Sequence, residues 1–324
     1  MRRLILLILA AALALTGCSS PASSDKPVIG LTYIPNIQFS PFYLAQSDGA
    51  FRTAGVEATL RHHGTSESLF TAMASGKEQF VVAGGDEMMQ ARSQGLDLVA
   101  VAAYYHAYPA EVIVPKSSAI TTLAGLKGHS IGIPGKYGES WFALLVALQT
   151  AGLTENDVMI KEIGYTQISA LSTKKVDAVV GFSNNDAVQF QQSGFPIRAL
   201  AISNQTVPLV PASLITTGEY AKAHPEVVKA VVKAMTAGIS TAVNNPSHAM
   251  EVSAAFIPDL NSQAVKASSQ ATLAATKALW TDSRGGVDAA LDPAQWQAMA
   301  DFMAKTKLTA TRQDPATAMT NDYV

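Results

Sequence analysis

Between Val28 and Ile202, short runs with strand character alternate with runs that carry helical periodicity and helix-start residues. This alternation is typical of α/β architecture with mostly parallel strands, because each crossover helix returns the chain to the same end of the sheet. The chain has 324 residues, nearly half of them apolar, which is enough for two modest domains or one large one. The predicted strands are Val28–Thr32, Glu57–His62, Gln79–Ala83, Asp97–Tyr104, Glu111–Pro115, one within Leu123–Gly135, Val158–Ile163, Asp177–Val180 and Ile197–Ile202.

Two segments of the chain resemble each other: Thr65–Asp86 (TSESLFTAMASGKEQFVVAGGD) and Thr166–Asp186 (TQISALSTKKVDAVVGFSNND). Each predicts a helix, a short turn, a buried strand and a polar loop that opens the next helix. Any two βαβ units share such a hydrophobic pattern, so coincidence is the alternative. We interpret the pair as two similar lobes. Gly84–Glu87 and Phe182–Asp186 then lie at equivalent positions, at the carboxyl ends of the two sheets, where open α/β sheets bind ligands.

The pattern changes after Asn204. Pro208–Thr217 (PLVPASLITT) predicts a proline-broken strand, and the remainder is almost wholly helical. Such a run cannot form a third sheet, so we expect it to pack back onto the first lobe. The chain then crosses between lobes twice, near Tyr105–Pro115 and near Ser203–Pro211, which makes a hinge. The predicted division is lobe 1 at residues 28–110 and 206–324, and lobe 2 at residues 111–205.

The N-terminal residues carry a targeting signal. Arg2 and Arg3 precede an apolar run, Leu4–Leu15, which is the layout of a secretory signal and is short for a membrane span. Leu15-Thr16-Gly17-Cys18 resembles a bacterial lipobox, which predicts a signal peptide at residues 1–17, an acylated Cys18 and a flexible tether at residues 18–27. A plain signal peptide with an incidental cysteine is the alternative. Because Cys18 is the single cysteine, the processed chain would have no free thiol for catalysis, disulfides or metal binding.

The segment Val28–Phe51 (VIGLTYIPNIQFSPFYLAQSDGAF) predicts a strand, a loop and a helix. Ser40 is the expected N-cap, Pro41 the first helical residue, and Gly49 the end of the helix. The loop Tyr33–Phe39 therefore follows the carboxyl end of a strand and precedes a helix N-terminus, which is where a ligand binds in such folds. The alternative is an ordinary connection whose aromatic rings pack into the core.

Taken together, the strand ends predict a cleft rich in aromatic and amide side chains. Aromatic rings can stack on a flat ligand, and amide groups supply both donors and acceptors. Simpler structural roles stay open for Asp86 as a helix N-cap, for Trp141 as a core residue, and for the Asn184–Asn185 pair as turn residues. The predicted ligand-binding residues are Tyr33, Asn36, Gln38, Asp86, Tyr104, Tyr137, Glu139, Ser140, Trp141, Thr166, Phe182, Asn184 and Asn185.

Charge favours a neutral ligand, because no arginine after the signal falls on these loops and an anion site usually uses a guanidinium group. Lys136 and the helix N-terminus at Ser140 favour the opposite, since together they could hold a sulfonate or a phosphate. The formal net charge of −2, with scattered basic residues, gives no basic surface for nucleic acid.

No catalytic, metal or cofactor signature is found. His62 and His63 are adjacent on a predicted strand and point to opposite faces, so they cannot bind one metal ion. Gly138–Phe142 lacks the final glycine of a nucleophile elbow, and no glycine-rich phosphate loop is present. We predict no catalytic residue, no metal and no cofactor.

Four stretches carry a resemblance to the solute-binding lipoproteins of ABC importers: GLTYIPNIQFSPFYLAQSDGAF, EQFVVAGGDEMMQAR, LAGLKGHSIGIPG and PASLITTGEYAKAHPEVVKAVVKA. Within that set the chain is most similar to the branch that binds thiamine pyrimidine precursors, riboflavin and sulfonates. The resemblance implies a two-lobed periplasmic-binding-protein fold of type II with two hinge crossings, a lipid-anchored monomer on the extracytoplasmic face, an ABC permease as partner, and no catalysis. Related fungal enzymes of pyrimidine synthesis use a cysteine-rich motif that this chain lacks.

YIPN followed by Gln38, together with VDAVVGFSNND, is more similar to the flavin-binding members than to the sulfonate binders. The resemblance therefore favours riboflavin, with the thiamine pyrimidine precursor next. Carried over by position, Tyr33, Tyr137 and Phe182 would stack on the ligand, and the nearby amides and Asp86 would contact its polar edges or ribityl hydroxyls. A sulfonate or taurine-type ligand, or an enzyme of the same fold, is the alternative.

Overall fold

The computed structural model describes residues 26–64, 69–204, 206–282 and 284–324. The predicted signal peptide, Cys18 and most of the tether lie outside them. Each predicted strand has a counterpart, with bounds that differ by a few residues. The strands are β1 (Val28–Leu31), β2 (Thr59–His62), β3 (Phe80–Gly84), β4 (Leu98–Ala103), β5 (Ala110–Pro115), β6 (Ser130–Ile133), β7 (Met159–Glu162), β8 (Ala178–Phe182), β9 (Ile197–Ala201) and β10 (Ala212–Thr217).

Helices surround these strands, and three short 3₁₀ turns occur at Ile37–Phe39, Leu123–Leu126 and Glu155–Asp157 within the described ranges. The α-helices are α1 (Ser40–Ser47), α2 (Ala50–Thr53), α3 (Thr71–Ala74), α4 (Gly85–Ser93), α5 (Gly138–Thr150), α6 (Gln167–Ser172), α7 (Asp186–Gln192), α8 (Gly218–Ala223), α9 (Pro225–Asn244), α10 (Pro246–Ser253), α11 (Gln263–Trp280), α12 (Pro293–Lys305) and α13 (Pro315–Ala318).

The strands form two five-stranded sheets with the same internal arrangement. The first sheet has the order β2-β1-β3-β10-β4, and the second has the order β7-β6-β8-β5-β9. In the first sheet β1 pairs in parallel with β2 and β3, while β10 runs antiparallel to β3 and β4. In the second, β6 pairs in parallel with β7 and β8, while β5 runs antiparallel to β8 and β9. The α/β class with two mostly parallel sheets is confirmed.

In each sheet, the antiparallel strand is the first strand that the chain forms after it crosses from the other sheet. β5 follows β4 of the first sheet directly, and β10 follows β9 of the second. The two quoted repeat segments contain β3 and β8, which occupy the same central place in their sheets, and end in the first turn of the helix that follows. Thr65 and the following three residues lie outside the described range, and α3 begins at Thr71 rather than at the predicted Ser66.

Three local predictions are corrected. The predicted N-cap Ser40 is the first residue of α1, because a 3₁₀ turn capped by Asn36 runs into that helix; the Asn36 Oδ1 accepts a hydrogen bond from the Gln38 N–H over 3.1 Å. Asp86 is the second residue of α4, which begins at Gly85, so it is not the N-cap. The predicted strand Pro208–Thr217 begins only at Ala212, after the second of two prolines that lack the N–H a ladder requires.

The C-terminal helices pack mainly against the first sheet's helices. α9 and α10 lie on α1, α12 lies on α4, and α13 lies on β4. The approach of α9 to α1 is close at Gly238, where an added Cβ would lie 2.0 Å from the Pro41 carbonyl oxygen. α11 differs, since it also contacts α7 of the second sheet. No helix in the described part of the chain is long and apolar enough to cross a bilayer.

Candidate functional site

A cavity of about 430 Å³ lies between the ends of the two sheets, a volume within the range of small-molecule sites. One wall comes from the loop after β1, and the opposite wall comes from the loops after β6, β7 and β8. The residues that line this main cavity are Tyr33, Ile34, Asn36, Gln38, Phe39, Pro134, Ser140, Tyr165, Thr166, Gln167, Ile168, Ser169, Phe182, Asn185, Asp186 and Gln189.

Tyr33 reaches from the first sheet to the second. Its backbone adopts a left-handed conformation with φ of 67°, an unusual value for a residue with a side chain. Its hydroxyl oxygen accepts a hydrogen bond from the backbone N–H of Ser140 over 3.0 Å and lies 3.3 Å from the Ser140 Oγ. The N-terminus of α5 is therefore occupied by a side chain from the opposite wall.

Tyr33 also belongs to an aromatic cluster with residues of the second wall. The centre of its ring lies 5.9 Å from the ring centre of Tyr165 and 6.1 Å from that of Phe182, and both pairs are edge-on. The ring centre of Tyr137 lies 6.3 Å away. Because the Tyr33 and Phe182 rings contact each other edge-on, a flat ligand has room against them but not between them.

A second hydrogen bond joins the two walls. The hydroxyl of Tyr165 donates to the Gly64 carbonyl oxygen over 2.8 Å, and the hydroxyl of Tyr137 donates to that of Tyr165 over 3.4 Å. Two tyrosines, one from each side, thus bridge the cleft in opposite directions.

Polar groups at the start of α7 complete the second wall. The Asp186 Oδ2 accepts a hydrogen bond from the Phe182 N–H over 2.8 Å, and burial raises the pKa of Asp186 to about 6. The Asn185 Oδ1 accepts hydrogen bonds from the Gln189 Nε2 over 2.7 Å and from the Thr272 Oγ1 over 3.4 Å, and the Asn185 amide N–H groups have no partner among the described residues. This wall therefore offers amide donors beside an aromatic ring.

The main cavity collects about half of the residues predicted from the sequence. They come from loops far apart in the chain, as expected for strand ends that meet at one cleft. The predicted residues that line the main cavity are Tyr33, Asn36, Gln38, Ser140, Thr166, Phe182 and Asn185.

Six predicted residues lie elsewhere. Tyr104 and Glu139 line a smaller cavity beside the main one. Tyr137 and Trp141 line a separate groove outside the main cavity. Asp86 is fully buried and accepts a hydrogen bond from the Tyr108 hydroxyl over 2.7 Å. Asn184 is buried, and its Nδ2 donates to the Thr276 Oγ1 of α11 over 2.9 Å.

Sequence reasoning missed several residues that line the main cavity. Ile34 follows β1, Pro134 follows β6, and Gln189 lies in α7. The other four follow β7 and open α6, at the same sheet edge as the residues that were predicted. The rule that ligands bind beyond strand ends had selected only Thr166 there, although the same rule applies to its neighbours. The residues missed are Ile34, Pro134, Tyr165, Gln167, Ile168, Ser169 and Gln189.

Both elements of the suggested anion site have other partners. The Lys136 Nζ lies 3.1 Å from the Glu155 Oε2 and 5.0 Å from the centre of the Trp141 ring, in the groove outside the main cavity. The Ser140 N–H donates to Tyr33. The described residues that line the main cavity include one carboxyl group, Asp186, and no lysine or arginine.

Three buried carboxyl groups lie behind the cavity, where α4 meets α5. Burial raises the pKa of Asp86 to about 7. Burial, and after it the charge of Asp86, raises the pKa of Glu87 and of Glu139 well above the usual value for glutamate. Within the described ranges, no group of three or more histidine, cysteine, aspartate or glutamate side chains is arranged to hold a metal ion.

Comparison with known proteins agrees with this architecture. The sequence is 28% identical over 319 residues to the riboflavin-binding protein RibY of Chloroflexus aurantiacus, covering 94% of this chain and 89% of that protein. It is 24% identical over 256 residues to the formylaminopyrimidine-binding protein of Halalkalibacterium halodurans, covering 76% of this chain and 77% of that protein.

Among solved structures, the fold matches the alkanesulfonate-binding protein SsuA of Xanthomonas axonopodis pv. citri bound to MOPS, with a TM-score of 0.66 and 20% identity, over 91% of this chain and 98% of that one. The two-lobed periplasmic-binding-protein fold expected from the sequence is thereby confirmed. The family described as NMT1/THI5 like matches residues 36–249, which is more than half of the sequence, and the chain belongs to that family.

Proposed function

We propose that the protein is the extracytoplasmic substrate-binding component of an ABC importer, and that it captures a small, uncharged aromatic heterocycle between its two lobes. Riboflavin is the favoured ligand, and a thiamine pyrimidine precursor is next. The protein delivers the ligand to a permease and catalyses no reaction. The names of the two relatives, which are binding proteins for a flavin and for a pyrimidine, support this choice.

The observation that carries the proposal is the composition of the main cavity. Rings from both walls, Tyr33, Phe39 and Phe182, supply faces or edges for a flat ligand, and Asn36, Gln38, Asn185 and Gln189 supply amide groups. Amides can pair with either donors or acceptors on a heterocycle or on a polyol chain. A site with these two kinds of group suits a neutral, flat molecule with polar edges.

The charges around the cavity argue against a sulfonate. A sulfonate site usually uses a cation or a helix N-terminus, whereas the charged residue of the lining is Asp186 and the Ser140 N–H at the start of α5 is already bonded to Tyr33. The likeness to a sulfonate-binding structure concerns the fold.

Binding requires both lobes, because the cavity has walls from both. In the proposed division, residues 28–110 and 206–324 form lobe 1 and residues 111–205 form lobe 2, joined by the crossings before β5 and before β10. A ligand that contacts both walls binds the closed form more tightly than the open form, so it shifts the population toward closure. A permease can then distinguish the loaded receptor by its shape.

The proposed location of the protein in the cell rests on the N-terminal signal. Multiple acylation at Cys18 would anchor a monomeric receptor at the outer face of the cell membrane, since each buried acyl methylene contributes about 0.8 kcal/mol and more than one acyl chain holds a protein on a bilayer. The tether to Val28 would keep the lobes free to meet the permease.

The experiment is direct. Freshly purified protein is examined for the absorbance spectrum of a co-purified flavin, and its melting temperature is measured with riboflavin, 4-amino-5-hydroxymethyl-2-methylpyrimidine, thiamine and taurine. We expect stabilisation by riboflavin or by the pyrimidine. Stabilisation by taurine alone would show that the ligand is a sulfonate, and turnover of any of these compounds would show that the protein is an enzyme.

A further inference from the structure

A second, smaller cavity of about 40 Å³ lies directly beside the main one. Tyr33, Gln38, Phe39 and Phe182 line both, so the two spaces share a wall. Its volume suits the edge of a ring or a short substituent rather than a whole ligand. The residues that line this inner cavity are Thr32, Tyr33, Gln38, Phe39, Val82, Tyr104, Tyr105, Glu139, Phe182 and Ala212.

Glu139 is the acidic residue of the inner cavity. It is 7% exposed, and its Oε1 has no hydrogen-bond partner among the described residues. Its buried acidic neighbours differ in this respect. Asp86 accepts hydrogen bonds from the Glu87 N–H and the Tyr108 hydroxyl, and Glu87 accepts one from the Gly84 N–H. Burying a carboxyl oxygen without a partner is unfavourable, so an atom of this kind beside a ligand cavity indicates a partner on the ligand.

The groups around Glu139 are acidic or neutral. Those that interact with it electrostatically are Asp86 and Glu87 of α4, Tyr33 of the β1 loop, and Tyr105 and Tyr108 after β4. None is a cation. Burial, and then the charge of Asp86, raises the pKa of Glu139 well above its usual value, which favours the neutral acid. A neutral carboxyl group presents an O–H donor beside a carbonyl acceptor.

We propose that Glu139 is the polar anchor of the ligand, and that its carboxyl group forms a paired hydrogen bond with a ring edge that carries an N–H donor next to a carbonyl or ring-nitrogen acceptor and enters the inner cavity. This inference rests on the proposed function and specifies its ligand. The pyrimidinedione edge of a flavin and the amino-nitrogen edge of an aminopyrimidine both have this arrangement. A sulfonate lacks the donor and carries a charge that the acidic surroundings disfavour.

The test uses the full chain, riboflavin and its N3-methyl derivative, in which the ring N–H is blocked. Affinity is measured by quenching of flavin fluorescence, and 4-amino-5-hydroxymethyl-2-methylpyrimidine is measured by calorimetry. For the wild type we expect N3-methylation to weaken binding at least about tenfold, because a buried partner is left unpaired. For Glu139→Leu we expect weaker binding of riboflavin and loss of discrimination between the two flavins, as a double-mutant cycle requires for groups in contact.

Glu139→Gln keeps a donor and an acceptor, so we expect it to bind riboflavin within a few-fold of the wild type. Its affinity should fall less with rising pH than that of the wild type, in which Glu139 ionises. Glu111→Gln is the matched control. The pKa of Glu111 is also raised, to about 7, by burial and then by Asp186, but this residue lines neither cavity.

The outcomes separate the two levels of the proposal. If Glu139→Leu folds, as judged by circular dichroism and melting temperature, and discriminates between the two flavins as the wild type does, the anchor is wrong while the proposed function stands. If the wild type binds neither flavin nor pyrimidine, the ligand class is wrong and the anchor falls with it.

Discussion

The hydroxyl oxygen of Tyr33 accepts a hydrogen bond from the backbone N–H of Ser140 over 3.0 Å, and these residues belong to opposite walls of the cleft. The bond satisfies an N–H group at the start of α5, which has no partner within its own helix. It therefore caps the helix and joins the two walls of the cleft.

Tyr33→Phe removes this hydroxyl and keeps the ring. We expect ligand affinity to fall about 2- to 10-fold, since a net hydrogen bond stabilises by roughly 0.5–1.5 kcal/mol and this one is present only when the lobes meet. Small-angle scattering should show a larger open fraction. Tyr43→Phe is the matched control, because its hydroxyl bonds to His62 over 2.9 Å between α1 and β2, both on the side of the first sheet. Equal affinities for Tyr33→Phe and wild type would contradict a closing role.

Gly138 allows Tyr33 to reach the helix. Its φ is +70°, and an added Cβ would lie 2.7 Å from the Tyr33 hydroxyl oxygen. Gly138→Ala should therefore cost roughly 1–2 kcal/mol of backbone strain and, in addition, weaken ligand binding by displacing Tyr33. Gly152→Ala separates the two effects, because Gly152 has a φ of +69° and no atom of the described residues lies within 4 Å of its Cβ position.

Chemical denaturation and ligand titration of both variants provide the measurement. We expect both variants to lose a similar amount of stability. Only Gly138→Ala should also lose affinity for the ligand. If both variants bind as the wild type does, the contact between Gly138 and Tyr33 does not affect closure.

The contact between Tyr33 and Ser140 also shows which features can be predicted from the sequence and which cannot. The strands and the repeat followed from local pattern, because periodicity and turn residues act over a few positions. Tyr33 and Ser140 were each predicted as site residues, but their mutual contact depends on how two lobes meet, which local pattern does not encode. Trp141 and Ser140 are neighbours in α5 and face different spaces, a distinction that required the orientation of the helix.

Buried carboxyl groups should make stability depend on pH. The pKa of Asp86 rises from 3.8 to about 7 on burial, so between these values the folded state binds more protons than the unfolded state. The free energy of unfolding then falls as pH rises from about 4 to 7, because the slope follows the difference in bound protons. We expect a higher melting temperature at pH 5 than at pH 8.

Two variants test whether Asp86 contributes to this dependence of stability on pH. Asp86→Asn should make it less steep, since one of the buried carboxyl groups with a raised pKa is removed. Asp177→Asn should leave it unchanged between pH 5 and 8, because hydrogen bonds from Ser130 lower the pKa of Asp177 below 3.8, under this range. Urea denaturation at four pH values measures both. A wild-type stability that rises between pH 5 and 8 would contradict the buried, uncharged state of Asp86.

Phe182 and Trp141 test which aromatic side chains contact the ligand. Phe182 lines both the main and the inner cavity, whereas Trp141 lies in the outer groove beside Lys136. Phe182→Ala should weaken riboflavin binding by about tenfold or more, since it removes both apolar area and a ring contact that contributes roughly 0.5–1.5 kcal/mol. Trp141→Ala should leave the affinity within about twofold of the wild type, because a ligand in the main cavity does not reach that groove. Fluorescence titration with riboflavin decides between these placements, and a large loss in Trp141→Ala with no loss in Phe182→Ala would move the binding site from the main cavity to the groove.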